Sequence, residues 1–164
     1  VTIRYQEGVQ QVLLNGEDVS GLIRTEEVGN MASAVSGYMP VREKLVELQK
    51  QLAAKENVIM DGRDIGTCVL PDAPAKIYLT ASVEVRAVRR YKELLEKGME
   101  ADLKEIEKDI EDRDYRDMHR EHSPLKQAED AVLLDTSSMT LDQVVEEILK
   151  IVREKGYKAA GGCA

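Results

Sequence analysis

The stretch Val58-Ile59-Met60-Asp61-Gly62-Arg63-Asp64-Ile65-Gly66-Thr67 constrains this chain most, because three apolar residues run directly into two acids, an arginine and two glycines. An apolar run without polar alternation predicts a strand covered on both faces of a parallel sheet, its charged end leaving the core at the carboxyl edge. In open α/β sheets that edge is where ligands bind.

The turn chemistry suits such an edge. Asp61 offers a carboxylate for a hydrated Mg2+, an ion commonly held through one or two carboxylates plus the phosphates of a nucleotide. Arg63 can grip a phosphate bidentately, and Asp64 can accept hydrogen bonds from an amino group. An Asp-Gly pair is also a common turn signal, so a polar turn with a local ion pair accounts for the same residues.

Around this stretch the chain alternates strand and helix signals. Thr2 to Tyr5 and Val9 to Leu14 are β-rich runs joined across Gln6-Glu7-Gly8, which predicts a hairpin, and Asn15-Gly16-Glu17-Asp18 predicts a second turn. Small and polar residues from Thr25 to about Gly37, with Ala32, Ser33, Ala34 and Ser36 clustered, fit either a helix that a backbone or flat ligand approaches closely or a weakly packed connecting helix. Pro40 opens a stronger helix, on which Val41, Leu45, Leu48 and Leu52 form an apolar stripe. Arg42 lies in its first turn, where a cation opposes the helix dipole. Neutralisation by Glu43 and a ligand role both explain it.

Beyond the turn at Pro71-Asp72-Ala73-Pro74, Lys76 to Thr80 reads as a second buried strand. Ser82 caps a predicted helix running to Gly98, with Val85, Val88, Tyr91 and Leu95 inward and Arg86, Arg89 and Arg90 elsewhere. Asp102 to His122 begins as an amphipathic helix through Leu103, Ile106 and Ile110. Its apolar stripe is then replaced by Arg113, Arg116, Asp117 and Arg120, which share one face at helical spacing. Like charges so placed repel. The face is easier to understand if it meets an anion, although Asp109, Asp112, Asp114 and Glu121 also balance it as an exposed charged helix. Ala131 to Leu134 predicts a third strand, and Thr140 with Gln143 predicts a capping box. The last helix carries Leu141, Val144, Val145, Ile148, Leu149 and Val152 inward and ends at Gly156. Strands alternating with helices predict an α/β fold, a three-layer parallel sheet with flanking helices and a small N-terminal β-hairpin.

Composition narrows the function. The 164 residues are enough for one domain, and with no Phe or Trp the core is built from Leu, Val, Ile, Ala and Met. A net charge of -8 argues against a nucleic-acid polymer or an anionic membrane as partner, so a phosphate ligand requires arginines concentrated locally. Cys68 and Cys163 make no disulfide framework, Cys163 sits in a small-residue tail expected to be mobile, and a reduced cytoplasmic setting is the default expectation. The sequence contains no membrane-length apolar run and no leader, yet it begins at Val1 and is expected to be a piece of something longer.

Asp61-Gly62-Arg63-Asp64-Ile65-Gly66-Thr67, Gly16-Glu17-Asp18-Val19, Ile23-Arg24-Thr25, and Arg113-Asp114-Tyr115-Arg116-Asp117 with Pro124-Leu125 together resemble bacterial cytidylate kinases over almost the whole chain to about Lys155. The resemblance implies a P-loop nucleoside monophosphate kinase fold and ATP-dependent phosphorylation of CMP and dCMP, with Mg2+ as cofactor; a monomer is the default expectation. It implies that Ser33, Arg42 and Asp64 recognise cytosine, that Arg63, Arg113 and Arg120 hold phosphates as catalytic arginines, and that Asp117 binds the ribose; Asp61, read from its own chemistry, remains the expected metal carboxylate of the catalytic set. Residues 1–55 would form the CMP-binding region and 56–164 the core, with a closing lid at about 98–124. One feature departs from the family. Its first strand and glycine-rich loop ending in Gly-Lys-Ser/Thr occur nowhere in this sequence. The chain is therefore expected either to be part of a larger enzyme or to be a nucleotide-binding module without chemistry of its own.

Overall fold

The computed structural model describes residues 1–156, apart from the side chains of Glu26, Asn30 and Ser33. The expectations for Ser33 and for the Cys163 tail therefore lie outside the described residues. Two compact units, Val1–Glu56 and the residues from Asn57 onward, are considered separately.

The first unit opens with an antiparallel sheet of β1 (Thr2–Gln6), β2 (Val9–Leu14) and β3 (Glu17–Asp18), with Thr2 opposite Leu13 and Leu13 opposite Asp18. Glu7 and Gly8 link the first pair and Asn15 and Gly16 the second, all four at positive φ. Two consecutive positive-φ residues make the type I′ turn, whose twist matches that of paired strands. Ser20 locks the exit: its Oγ accepts from the Val12 amide at 2.8 Å and donates to Asp18 Oδ1 at 2.6 Å.

After a 3-10 turn at Leu22–Arg24, α1 (Glu26–Val35) starts at Thr25, whose hydroxyl accepts from the Val28 amide. Helix α2 (Met39–Lys55) begins with Pro40 in its first turn, where a missing N–H costs nothing. Its predicted stripe of Val41, Leu45, Leu48 and Leu52 is exposed, and the half-buried line is Arg42, Val46, Gln49 and Ala53, one residue further round. Helical spacing locates a stripe but does not supply the surface that covers it.

In the second unit, Val58–Met60 is not a strand. Ile59 is fully exposed, and Val58 and Met60 are only half-buried. A strand exists through ladder bonds to a neighbour, and these three residues pair with none of the strands among the described residues, so apolar character alone does not make one. The sheet here consists of two parallel strands, β4 (Ile77–Thr80) and β5 (Val132–Asp135), with Ile77 beside Val132 and Thr80 beside Asp135. The three strands and three layers expected from the sequence reduce to this pair, followed by α3 (Val83–Glu96), α4 (Leu103–His119) and α5 (Leu141–Glu154).

The core is thin and aliphatic, built on Val69, Ala81, Ala87, Leu134 and Ile151. Ala87, completely buried on α3, lets that helix pack against α4; the expected Val88 and Leu95 are exposed. Helix α3 stops at Glu96, and Gly98 at φ +72 turns the chain. Thr140 and Gln143 form the expected capping box on α5. That helix buries Ile151 and leaves Leu141, Val145 and Leu149 exposed. No helix among the described residues is long and apolar enough to cross a membrane.

Candidate active site

The site in the second unit is assembled by two short segments far apart in sequence. The first is the turn Gly62-Arg63-Asp64, which leads into a π-helical turn at Ile65–Val69. The Asp64 carbonyl accepts from the amides of Thr67, Cys68 and Val69, at 3.3, 2.8 and 3.3 Å, and the Leu70 amide closes onto Ile65 at 2.7 Å. Wide turns of this kind recur at functional sites because they re-aim the residues before them. Two close approaches fix this one. A Cβ on Gly62 would come within 3.0 Å of Ile65 Cγ1, and a Cβ on Gly66 within 3.3 Å of Lys76 Cδ. Lys76, nearly buried, donates from Nζ to the Pro71 carbonyl and pairs with Asp130 at 2.7 Å. Its ammonium holds the Asp130 carboxyl below the usual aspartate range.

The second segment is the end of α4. Its last turn stops at His119, so Arg120 lies just past the helix in extended backbone. This shortening of the predicted helix by three residues swings Arg120 back onto Asp117. Arg63 Nε donates to Asp117 Oδ2 at 2.7 Å, Arg120 Nη2 sits 3.2 Å from Asp117 Oδ1, and Arg113 Nε approaches Oδ2 at 4.0 Å. Arg120 Nε also lies 3.4 Å from the Asp117 carbonyl, which accepts from the Leu125 amide at 2.8 Å. Asp117 is mostly covered, while Arg113 is two-thirds exposed.

Arg120 Nη2 is close enough to Asp117 for an ion pair but not aligned for a hydrogen bond, and this nitrogen is buried with no hydrogen-bond partner. A buried N–H without an acceptor is costly. Three guanidiniums on one carboxylate leave an excess of positive charge, a suitable place for a phosphate.

Arg116 does not join the cluster. Its Nε donates to the Asp112 carbonyl at 3.2 Å within its own helix, which corrects the four-residue face expected from spacing. Asp61 is exposed, and Asp64 is half-buried within the wide turn. Among the described residues no group of three metal-capable side chains converges. A lone carboxylate at Asp61 fits a Mg2+ held chiefly by nucleotide phosphates, not an all-protein metal cage.

The arginines of α3 have structural partners. Arg86 Nε donates to the Ala81 carbonyl at 2.9 Å while its Nη2 donates to Asp114 at 2.7 Å, and Arg89 Nη2 donates to the Thr136 carbonyl at 2.6 Å. Thr136, buried, donates its hydroxyl to the Thr80 carbonyl at 3.0 Å. Nearby, Ser137 Oγ accepts from the Ser82 amide at 2.9 Å and donates to Asp135, whose pKa is lowered by the Ser137 hydroxyl and amide. A recess of about 470 Å3 opens between the loop Ser137 to Thr140 and the stretch of α3 from Glu84 to Lys92. Arg86, Asp114 and Lys76 were not anticipated as site-building residues. The available signal was Asp114 standing between two arginines with an unexplained arginine-rich helix upstream.

The chain matches the cytidylate kinase family model over residues 1–154. A cytidylate kinase of Lactobacillus johnsonii is 54% identical over 155 residues, covering 94% of this chain and 67% of that protein. One of Listeria innocua is 51% identical, covering 93% and 69%, and one of Cupriavidus necator is 50% identical, covering 87% and 64%. The chain thus spans about two thirds of the length of the relatives it matches. The chain belongs to the cytidylate kinase family, the nucleoside monophosphate kinases among the transferases.

Proposed function

We propose that this chain supplies the monophosphate-binding and arginine-bearing part of an enzyme that transfers the γ-phosphoryl group of ATP to CMP or dCMP. The observation that carries the reading is the Asp117 cluster, where three arginines converge and the buried Arg120 Nη2 lacks an acceptor. A phosphate oxygen satisfies that nitrogen and takes the Arg63 and Arg113 guanidiniums from Asp117.

Phosphoryl transfer needs positioning and charge neutralisation more than covalent chemistry, and guanidiniums provide both. Arg63, Arg113 and Arg120 are assigned to the phosphates. Asp117, released from its arginines, is assigned to the ribose, and Asp64 to the cytosine amine. Ser33 and Arg42 are assigned to base recognition on the motif resemblance alone. When bound, Mg2+ offsets phosphate charge, with Asp61 as its protein carboxylate. Residues 98–124 are assigned as a lid that orders on the phosphates, within a core of 56–164, and residues 1–55 as the CMP-binding region with its hairpin.

The sequence contains no Gly-Lys-Ser/Thr loop to cradle a triphosphate, which favours a second reading for residues 1–164 by themselves: nucleotide binding without turnover. The test is calorimetric titration of CMP into purified residues 1–164, alongside a coupled assay for ADP with CMP and Mg-ATP. CMP binding without ADP formation is expected. No CMP binding removes the monophosphate site, and CMP-dependent ADP formation by a sample of this mass removes the second reading.

A further inference from the structure

We infer that the Arg86–Asp114 pair is the latch that sets the arginine face of α4, making Arg86 and Asp114 positioning residues for the phosphate cluster. The inference rests on the binding reading above and adds two residues to which that reading gives no phosphate. Arg86 is forked. Its Nε is fixed by the Ala81 carbonyl at 2.9 Å, directly after β4, and its Nη2 by Asp114 Oδ2 at 2.7 Å. One guanidinium therefore ties the carboxyl end of β4 to the middle of α4's last turns.

Asp114 follows Arg113 and precedes Asp117 by three positions, so its placement sets the rotation of both about the helix axis. The pair is well sheltered, with Asp114 about four-fifths covered and Arg86 two-thirds covered. A sheltered, bidentately placed arginine holds geometry better than an exposed pair. The Arg63–Asp117 bond at 2.7 Å needs such a hold, because Arg63 approaches from a different segment and its bond depends on where α4 presents Asp117. The Leu125 amide on the Asp117 carbonyl fixes the other end of the turn. Helices α3 and α4 pack against each other, and Ala87, one residue after Arg86, is completely buried.

The test uses residues 1–164 and the variants Asp114→Asn, Arg86→Gln, Arg86→Lys and the double variant Arg86→Gln/Asp114→Asn. CMP affinity is measured by calorimetry, and amide hydrogen exchange without ligand is followed over 113–125, with 146–154 of α5 as a folding control. Asp114→Asn is expected to weaken CMP binding on the order of tenfold, since small displacements of positioning groups carry large penalties. Exchange over 113–125 quickens while α5 is unchanged, and the double variant is no weaker than the worse single one. Arg86→Lys keeps the charge but not the fork, and it behaves like Arg86→Gln. Unchanged exchange over 113–125, unchanged CMP affinity, additive losses in the double variant, or full function of Arg86→Lys each overturns the latch. If the parent itself binds no CMP, the binding reading fails, and the exchange comparison still decides whether the latch exists.

Discussion

Arg63 and Asp117 stand 54 positions apart in the chain, yet Arg63 Nε donates to Asp117 Oδ2 at 2.7 Å, and this bond joins the glycine turn to the end of α4. Arg63 is nearly half exposed and Asp117 mostly covered, so the carboxylate is the sheltered anchor of the bond and the guanidinium its more accessible partner.

Arg63→Ala and Arg120→Ala are each expected to weaken CMP binding by one to two orders of magnitude, the loss of a hydrogen bond to a charged group being roughly 1.5–3 kcal/mol. The thermal midpoint of Arg63→Ala moves little, because a pair in which Arg63 is nearly half exposed contributes about 0–1 kcal/mol. Calorimetry with CMP and with cytidine separates the roles. An equal loss for both ligands shows that the arginines do not read the phosphate.

Asp64→Ala is expected to narrow the preference for CMP over UMP. A carboxylate accepts from the cytosine amine but faces the uracil carbonyl unpaired, and sites built on a specific hydrogen bond reject analogues lacking the donor. Competition binding of the two monophosphates measures the ratio, and an unchanged ratio takes Asp64 out of base recognition.

Lys76→Met is expected to destabilise the second unit by about 1–3 kcal/mol, because the nearly buried ammonium leaves the Pro71 carbonyl and Asp130 without their donor. Chemical denaturation monitored by far-ultraviolet circular dichroism checks this. A loss below that range means water replaces the ammonium at the Pro71 turn.

Acid should act partly through Asp135. Hydrogen bonds from the Ser137 hydroxyl and amide lower its folded-state pKa below the ordinary 3.8. A carboxylate depressed in the folded state adds stability above its unfolded pKa and loses it as pH falls through the lower folded value. Asp135→Asn should therefore flatten part of the stability decline below pH 3.8, seen as thermal midpoints against pH for both proteins. Parallel curves assign the acid response to other groups.

The features that could be read from the sequence are those with local causes. Gly8 and Gly16 mark tight turns, Ser82 and Thr140 accept from amides three residues ahead, and Gly98 and Gly156 end helices, all within a few residues. The features that could not be read depend on a distant neighbour. Val58–Met60 has strand composition but no ladder, and the stripes on α2 and α5 are displaced because burial depends on what lies opposite. At the site, Arg113 and Arg120 both lie near Asp117, but Arg120 reaches it from extended backbone past the helix and not from the helix face that spacing gave. Spacing included Arg116 because periodicity cannot detect a side chain turning back to its own helix carbonyl. From sequence, Arg86 on a charged helix reads as solvated unless it lies at the sheet edge, and its bond to the Ala81 carbonyl, directly after β4, puts it there.

The wide turn at Ile65–Val69 makes this segment intolerant of length change. Three amides already converge on the Asp64 carbonyl. Removing one residue would tighten the turn to ordinary helical pitch, and each residue of helix carries about 100° of rotation. Arg63 would then point away from Asp117 with every side chain of the cluster still present. A single-codon deletion there would separate the two halves of the site.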